Sequence, residues 1–300
     1  MNVSEAKALD PSPLPFGMPW PNYFNDLKRI MEKRPDTALL LVGHGSTTNP
    51  DSSPPTRRLA ETIGAMNIFD EVKCCFWKEE PHLHKAITEL RSHDVFIVPN
   101  FISEGYFTQT VIPREMGLNG PITLLDGKTL RYCKPVGSHP SMTSLLLKRA
   151  AETAPGVNPL ETSLLLVGHG TSLNKKSSDA VEKQASLIAS LGLYAEVLPS
   201  TMEPMEDVPL VSDWASLTSQ RNVVVIPFFI SDGLHSYQDI PVLLGLREEV
   251  GPAASESDVF KHNPHHLQGK NLFYGSAIGT DPGMADVVLD QVKEALKAVS

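Results

Sequence analysis

The residues with the clearest chemical potential are imidazoles placed where apolar runs end. Leu39-Leu40-Leu41-Val42 leads into Gly43-His44-Gly45-Ser46, and 125 positions on (44 to 169) Leu164-Leu165-Leu166-Val167 leads into Gly168-His169-Gly170-Thr171. A third histidine, His235, lies just past the apolar run Val223–Pro227. Imidazole titrates near neutrality and ligates borderline divalent metals. Two imidazoles on one rim can therefore hold a divalent cation or shuttle protons. Capping a turn or donating to a phosphate is the alternative use of a histidine in such a place.

The elements that must position these groups repeat. Ile97-Val98-Pro99-Asn100-Phe101-Ile102-Ser103-Glu104-Gly105 is answered by Val225-Ile226-Pro227-Phe228-Phe229-Ile230-Ser231-Asp232-Gly233, 128 positions on (97 to 225). A unit of this length is too long for a solenoid repeat and reads as a duplicated domain. Continuous apolar runs such as Ala38–Val42 and Leu164–Val167 are the pattern of strands covered on both faces of a parallel sheet. Strands are also expected at Glu71–Phe76, Val95–Val98, Leu130–Pro135, Tyr194–Pro199, Asn222–Ile226 and Asn271–Ala277. Helical periodicity covers Thr56–Met66, Leu83–Leu90, Ser141–Glu152, Asp179–Leu191, Val208–Thr218 and Met284–Ala298. Strand and helix alternate, so each half is expected to be an α/β unit with a parallel sheet flanked by helices. Ligands of such sheets bind beyond the carboxyl ends of the strands, which puts His169 and His235 on one rim.

The chain divides into a proline-rich arm with a short helix at Tyr23–Lys33 (1–36), a first domain (37–155) and a second (156–300). The second carries an insertion at about 247–270 that ends in His262-Asn263-Pro264-His265-His266. Three hundred residues with 41% hydrophobic and 20% charged content suit two soluble globular domains. A formal net charge of −9 and the lack of a long basic run argue against nucleic acid. No apolar stretch has the length of a membrane span, and no signal peptide is evident. The three cysteines Cys74, Cys75 and Cys133 form no CxxC pair, which favours a reducing compartment and a cytoplasmic protein.

Taken together, the motifs resemble those of the class II tetrapyrrole chelatases, and within them the CbiX group of sirohydrochlorin cobaltochelatases and their ferrochelatase relatives. The second half carries the resemblance at His169-Gly170-Thr171, Glu203-Pro204 and Pro227-Phe228-Phe229-Ile230-Ser231-Asp232-Gly233-Leu234-His235 through Asp239-Ile240-Pro241. The first carries it at His44-Gly45-Ser46, Glu80-Pro81 and Pro99 through Gly105. The resemblance implies two tandem chelatase-like (flavodoxin-like) lobes with a tetrapyrrole cleft between them. It also implies ATP-independent insertion of Co²⁺, Fe²⁺ or Ni²⁺ as a substrate metal. Insertion releases two pyrrole protons, so the site needs a base that is neutral near pH 7 and a ligand that lets the metal go; imidazole meets both demands.

On this reading His169 and His235 ligate the metal and accept protons, with His44 a further ligand from the other lobe. Glu104, the counterpart of Asp232, supplies a carboxylate. Ser46, Tyr106, Gly170, Thr171 and Gly233 line the substrate. The first half is degenerate: Gly105-Tyr106-Phe107 stands where the second half has Gly233-Leu234-His235, and Val111 where it has Asp239. Backbone N–H groups after His44 and His169, with Lys175 and Lys176, are candidates for the substrate's carboxylates. No iron–sulfur cluster and no nucleotide are expected, and the fused halves could act as a monomer that mimics a dimer.

Other histidines carry less. His262, His265 and His266 could collect metal or be incidental loop residues. His82 and His84 are expected at the surface, and His139 is answered by Asp281. Glu80 and Glu203, each before a proline, are explained nearly as well by turn formation or helix capping. A strand ending in His-Gly is also similar to the histidine phosphatases, but Gly43 and Gly168 stand where their arginine would be. A carrier that stores or delivers metal or tetrapyrrole without turnover is the remaining alternative.

Overall fold

The computed structural model describes residues 32–170, 176–248 and 257–297. The proline-rich arm, the helix expected at Tyr23–Lys33 apart from its last two residues, Thr171 and Lys175 lie outside these residues, as does the middle of the insertion. The first half runs β1 (Arg34–Gly43), α1 (Pro54–Ala65), β2 (Phe69–Phe76), α2 (Leu83–Ala86), β3 (Asp94–Pro99), α3 (Ile112–Glu115), β4 (Ile122–Leu125), β5 (Lys128–Tyr132) and α4 (Ser141–Thr153). The second repeats it as β6 (Thr162–Gly168), α5 (Lys176–Ser190), β7 (Glu196–Thr201), α6 (Trp214–Leu217), β8 (Asn222–Pro227), α7 (Ile240–Leu243), β9 (His265–Leu267), β10 (Lys270–Tyr274) and α8 (Met284–Lys297).

The sheets have matching orders, β2-β1-β3-β5-β4 and β7-β6-β8-β10-β9. Four strands of each are parallel, as the apolar runs demand. The fifth, β4 or β9, is an antiparallel edge strand that hydrophobic pattern alone did not reveal. β9 is built from the histidine tract. His265 Nε2 donates to Val259 O (3.1 Å), and His266 Nδ1 faces Asn271 Oδ1 (3.0 Å). Successive strand residues point to opposite faces, so these two imidazoles do not converge on one ion. The helices expected at Leu83–Leu90 and Val208–Thr218 are single turns, α2 and α6.

Alternation along the central strands assigns each sheet face to a different core. Ala38, Leu40 and Val42 face an outer core with Leu83, Ile97 and Ile112, whereas Leu39 and Leu41 face inward. In the second half Leu165 and Val167 face an outer core around Trp214, and Leu164 and Leu166 face inward. The two inner faces do not form separate cores. Together with α1, α4, α5 and α8 they make one continuous apolar cluster.

The closing helices cause this. α4, at the end of the first half, packs on β8 and α5 of the second half; α8, at the end of the second, packs on β3 and α1 of the first. A residue just ahead of each helix pins the exchanged partner. Asp281 accepts from Lys148 Nζ (2.7 Å) and Arg149 Nη2 (3.3 Å) on α4, and His139 Nε2 lies 3.2 Å from Glu294 on α8. Gln291 Nε2 also donates to Pro135 O (2.9 Å) and Thr143 Oγ1 to Gln184 Oε1 (2.8 Å) across the lobes. Just ahead of these pins, Gly137 and Gly279 lie so close to Ile102 and Ile230 that a Cβ on either would overlap the isoleucine carbonyl. Those isoleucines begin the loops that carry the candidate site.

Candidate active site

His169 ends β6, and the loop after β8 brings His235 to it. Their ring centroids are 4.8 Å apart at an interplanar angle of 89°, so the two residues that sequence placed on one rim are in contact. Phe229 packs against both, at 6.4 and 5.7 Å.

Local geometry fixes the proton on each ring. His169 Nδ1 is 2.6 Å from Gly170 O, and a carbonyl can only accept, so Nδ1 carries the hydrogen. Gly170 reaches this position with φ +74°, and a Cβ there would also meet Thr201 and Glu203. His235 Nδ1 is 2.7 Å from Asp239 Oδ2, which imposes the same tautomer. In both rings Nε2 is left with its lone pair, free to bind a metal or take a proton. A carboxylate behind an imidazole fixes its orientation and raises its basicity. That role for Asp239 is invisible in sequence until the backbone puts it beside His235.

The backbone does so through a π-helical turn over His235–Asp239, where Ile240 N donates to His235 O five residues back. Pro241 cannot donate to Tyr237 O, and its ring would crowd that carbonyl in a regular α-helix; the wider turn accommodates it. Tyr274, fully buried on β10, locks the turn by donating to Ser236 O at 2.8 Å. The first half copies the device: a π-helical turn over Phe107–Val111, Pro113 after it, and Tyr132 donating to Thr108 O at 2.5 Å. Its side chains differ. His44 keeps the orientation of His169, with Nδ1 2.8 Å from Gly45 O, but it faces the Phe107 ring at 4.9 Å instead of an imidazole.

Glu203 Oε1 comes within 3.9 Å of His169 Nδ1, close enough for electrostatic contact and too far for a hydrogen bond. Its backbone N–H donates to His169 O at 3.1 Å. In the first half the residue donating to His44 O (2.9 Å) is Lys78, not Glu80. The two Glu-Pro pairs are thus not equivalent: Glu80 lies two residues beyond Lys78, the position that answers Glu203. Glu80 instead accepts from His82 N (3.2 Å) at the start of α2, the turn-forming use.

Asp232, three residues before His235, accepts from Ala277 N at 2.6 Å. Burial pushes its carboxyl up to about 6; the Ala277 N–H, Arg149 and Arg58 oppose that shift, and Asp51 adds to it. With the folded value above the ordinary 3.8, ionisation of Asp232 works against folding as pH rises through this interval, by about 3 kcal/mol once complete. Asp232→Asn is therefore expected to raise stability to urea by about 1–3 kcal/mol at pH 7.5 and by almost nothing at pH 3.5. An equal gain at both pH values would show that burial of charge is not the cause. Glu104, its counterpart, is half-buried and has no hydrogen-bond partner among the described residues.

Among the described residues no three His, Cys, Asp or Glu side chains converge into a closed metal site. His169 and His235 are 42% and 43% exposed, so the pair opens to solvent. An open two-imidazole platform suits a metal in transit rather than one held structurally. Beside it lies an interlobe cavity of about 460 Å³, lined by His235, Phe229 and Gly233 from the second lobe and by His44, Ser46 and Lys78 from the first. Asn49 reaches across to Gly233. Tyr106 is 58% exposed and does not line this cavity.

Two pseudo-symmetric α/β lobes, exchanged closing helices and an oriented imidazole pair at an interlobe cavity define a chelatase of the two-lobed class. The CbiX family model matches residues 38–153 and again 163–295, and the chain belongs to that family. It is 38% identical over 276 residues to a probable sirohydrochlorin cobaltochelatase of Halobacterium salinarum, covering 86% of this chain and 91% of the relative. A sirohydrochlorin cobaltochelatase of Methanopyrus kandleri is 34% identical over 142 residues, 45% of this chain but 96% of the relative, so that protein corresponds to a single half. Among solved structures, a multi-domain Deinococcus radiodurans protein with structural similarity to chelatases superposes with a TM-score of 0.72 at 29% identity. The match covers 86% of this chain, which spans only 55% of that protein. A CbiX described as the terminal enzyme for biosynthesis of siroheme in denitrifying bacteria superposes at 0.61 with 21% identity, over 88% of this chain and 99% of that one; this likeness concerns the fold. Among the described residues no helix is long and apolar enough to cross a membrane.

Proposed function

We infer that the protein inserts a divalent metal, Co²⁺ or Fe²⁺, into sirohydrochlorin or a closely related tetrapyrrole without a nucleotide. The observation that carries this reading is the contact between His169 and His235 with both Nε2 lone pairs free. The metal is captured by the two Nε2 atoms, with Glu203 near enough to offset its charge. The macrocycle enters the interlobe cleft against Phe229, and Ser46, Gly170, Thr171 and Gly233 are assigned to its surround. As the metal passes to the pyrrole nitrogens, the freed imidazoles take the two displaced protons. Asp239 stabilises the imidazolium formed at His235. His44 and Glu104 are assigned supporting roles across the cleft. The likeness to curated cobaltochelatases supports Co²⁺, but imidazole and carboxylate also accept Fe²⁺ and Ni²⁺.

The test is the absorbance change of anaerobic sirohydrochlorin mixed with Co²⁺, Fe²⁺ or Ni²⁺ and catalytic amounts of protein. Multiple turnover above the uncatalysed rate is expected, fastest with Co²⁺ or Fe²⁺. Stoichiometric binding of pigment with no rate enhancement would replace the enzyme with a carrier.

A further inference from the structure

The first lobe's vestigial site differs from the second in sign as well as in content. Backbone register pairs His44 with His169, Lys78 with Glu203, Phe107 with His235 and Val111 with Asp239. An acid in the second half is answered by a lysine in the first. Lys78 is exposed, its Nζ lies 5.6 Å from the centre of the Trp77 ring, and it has no carboxylate partner among the described residues. The nearest acid in sequence, Glu79, is occupied by Arg57 Nη2 (2.7 Å) and Ser46 N (3.2 Å).

Lys78 and His44 line the same cavity as His235. Among the described residues no Asp or Glu lines that cavity, and Ser46, Thr47, Thr48 and Ser52 furnish hydroxyls there. Glu79, behind Ser46, is paired with Arg57, so the lining itself offers an anion a cation and several donors. We propose that the first lobe's former metal site is a carboxylate subsite: Lys78, with His44 beside it, receives a peripheral carboxylate of the macrocycle while its centre faces His169 and His235. This rests on the chelatase reading above and adds to it a reason why the degenerate half keeps its histidine and its loop geometry. It also places the attraction for a polycarboxylate substrate locally, within a protein of net charge −9.

The experiment compares wild type with Lys78→Glu and Lys78→Ala. Sirohydrochlorin binding to metal-free protein is followed by quenching of tryptophan emission, and insertion kinetics are measured with pigment and metal varied separately. Lys78→Glu is expected to weaken pigment binding and raise the pigment KM about tenfold, and Lys78→Ala about threefold. In both variants kcat and the metal KM should stay within about twofold, and the salt dependence of pigment KM should flatten. Unchanged pigment affinity in Lys78→Glu, in a wild type that inserts metal, overturns the subsite and leaves the chelatase intact. A wild type that binds pigment without insertion removes the chelatase reading, while the binding ratio still decides the subsite. A wild type that does neither removes both.

Discussion

Replacing His235 with alanine is expected to lower the rate of metal insertion by about 10²–10³-fold, whereas His44→Ala should cost less than about tenfold. His235 contributes two things at once: a free Nε2, and an Nδ1–H anchored on Asp239 at 2.7 Å that fixes the ring's orientation. Removing it leaves His169 facing Phe229 with neither a second ligand nor a second proton acceptor. His44 has a free Nε2 too, but an aromatic ring stands where its partner would be, and no carboxylate lies behind that ring. Its loss should be felt mainly in the KM for pigment. Anaerobic insertion assays on both variants decide the matter: equal losses of kcat would mean that the first lobe holds a working metal site and that the asymmetry is wrong.

The largest effect on stability is expected from Asp281→Ala. Its side chain is 1% exposed and is held between Lys148 and Arg149, which are themselves only 21% and 13% exposed. Burial works against the charge on Lys148, and Asp281 and Glu152 outweigh it. Without Asp281, Arg149 is left partly buried with no carboxylate partner among the described residues and Lys148 keeps only the half-exposed Glu152 (3.0 Å), a loss of about 3–5 kcal/mol. The aspartate also accepts from Gly283 N (2.8 Å) at the entry to α8, so the same change weakens the seating of an exchanged helix. A fall in Tm of at least about 6 °C should result, in a single transition because the inner core is shared. Glu294→Ala at the pseudo-equivalent pin should cost under about 1 kcal/mol, since that carboxylate is 52% exposed. Two separate transitions in calorimetry, or equal losses at the two pins, would contradict this account.

The histidine pair, the duplicated strands and the presence of Phe107 and Val111 where the second half has His235 and Asp239 are legible in the sequence because each rests on local pattern. Apolar runs fix the strands, and strand order fixes the rim. What escaped reading depends on information that pattern does not hold. Lys78 answers Glu203 at the same 125-residue offset as the two histidines, but the more eye-catching Glu80-Pro81 invites the wrong pairing. The π-helical turns are masked by Pro113 and Pro241, which read as breaks. Edge strands as short as β9 bury too little to show a period. Above all, nothing in the amphipathic stretches Ser141–Thr153 and Met284–Lys297 states which sheet they cover. Either inner face would satisfy their apolar sides, and the choice is made by chain connectivity together with Asp281 and His139.

The exchange of closing helices sets an order of events for the newborn chain. By the time Thr153 has left the ribosome, every strand of the first sheet exists, yet the helix just completed belongs on a sheet that has not been made. The helix that shields β3 is the last element described, residues 284–297. The first lobe therefore waits, with Phe96 and Val98 uncovered, through the synthesis of more than a hundred further residues. Joining the halves in one polypeptide turns that wait into a delay whose length is set by translation, and it makes the fourteen-residue helix α8 the step that closes the first lobe.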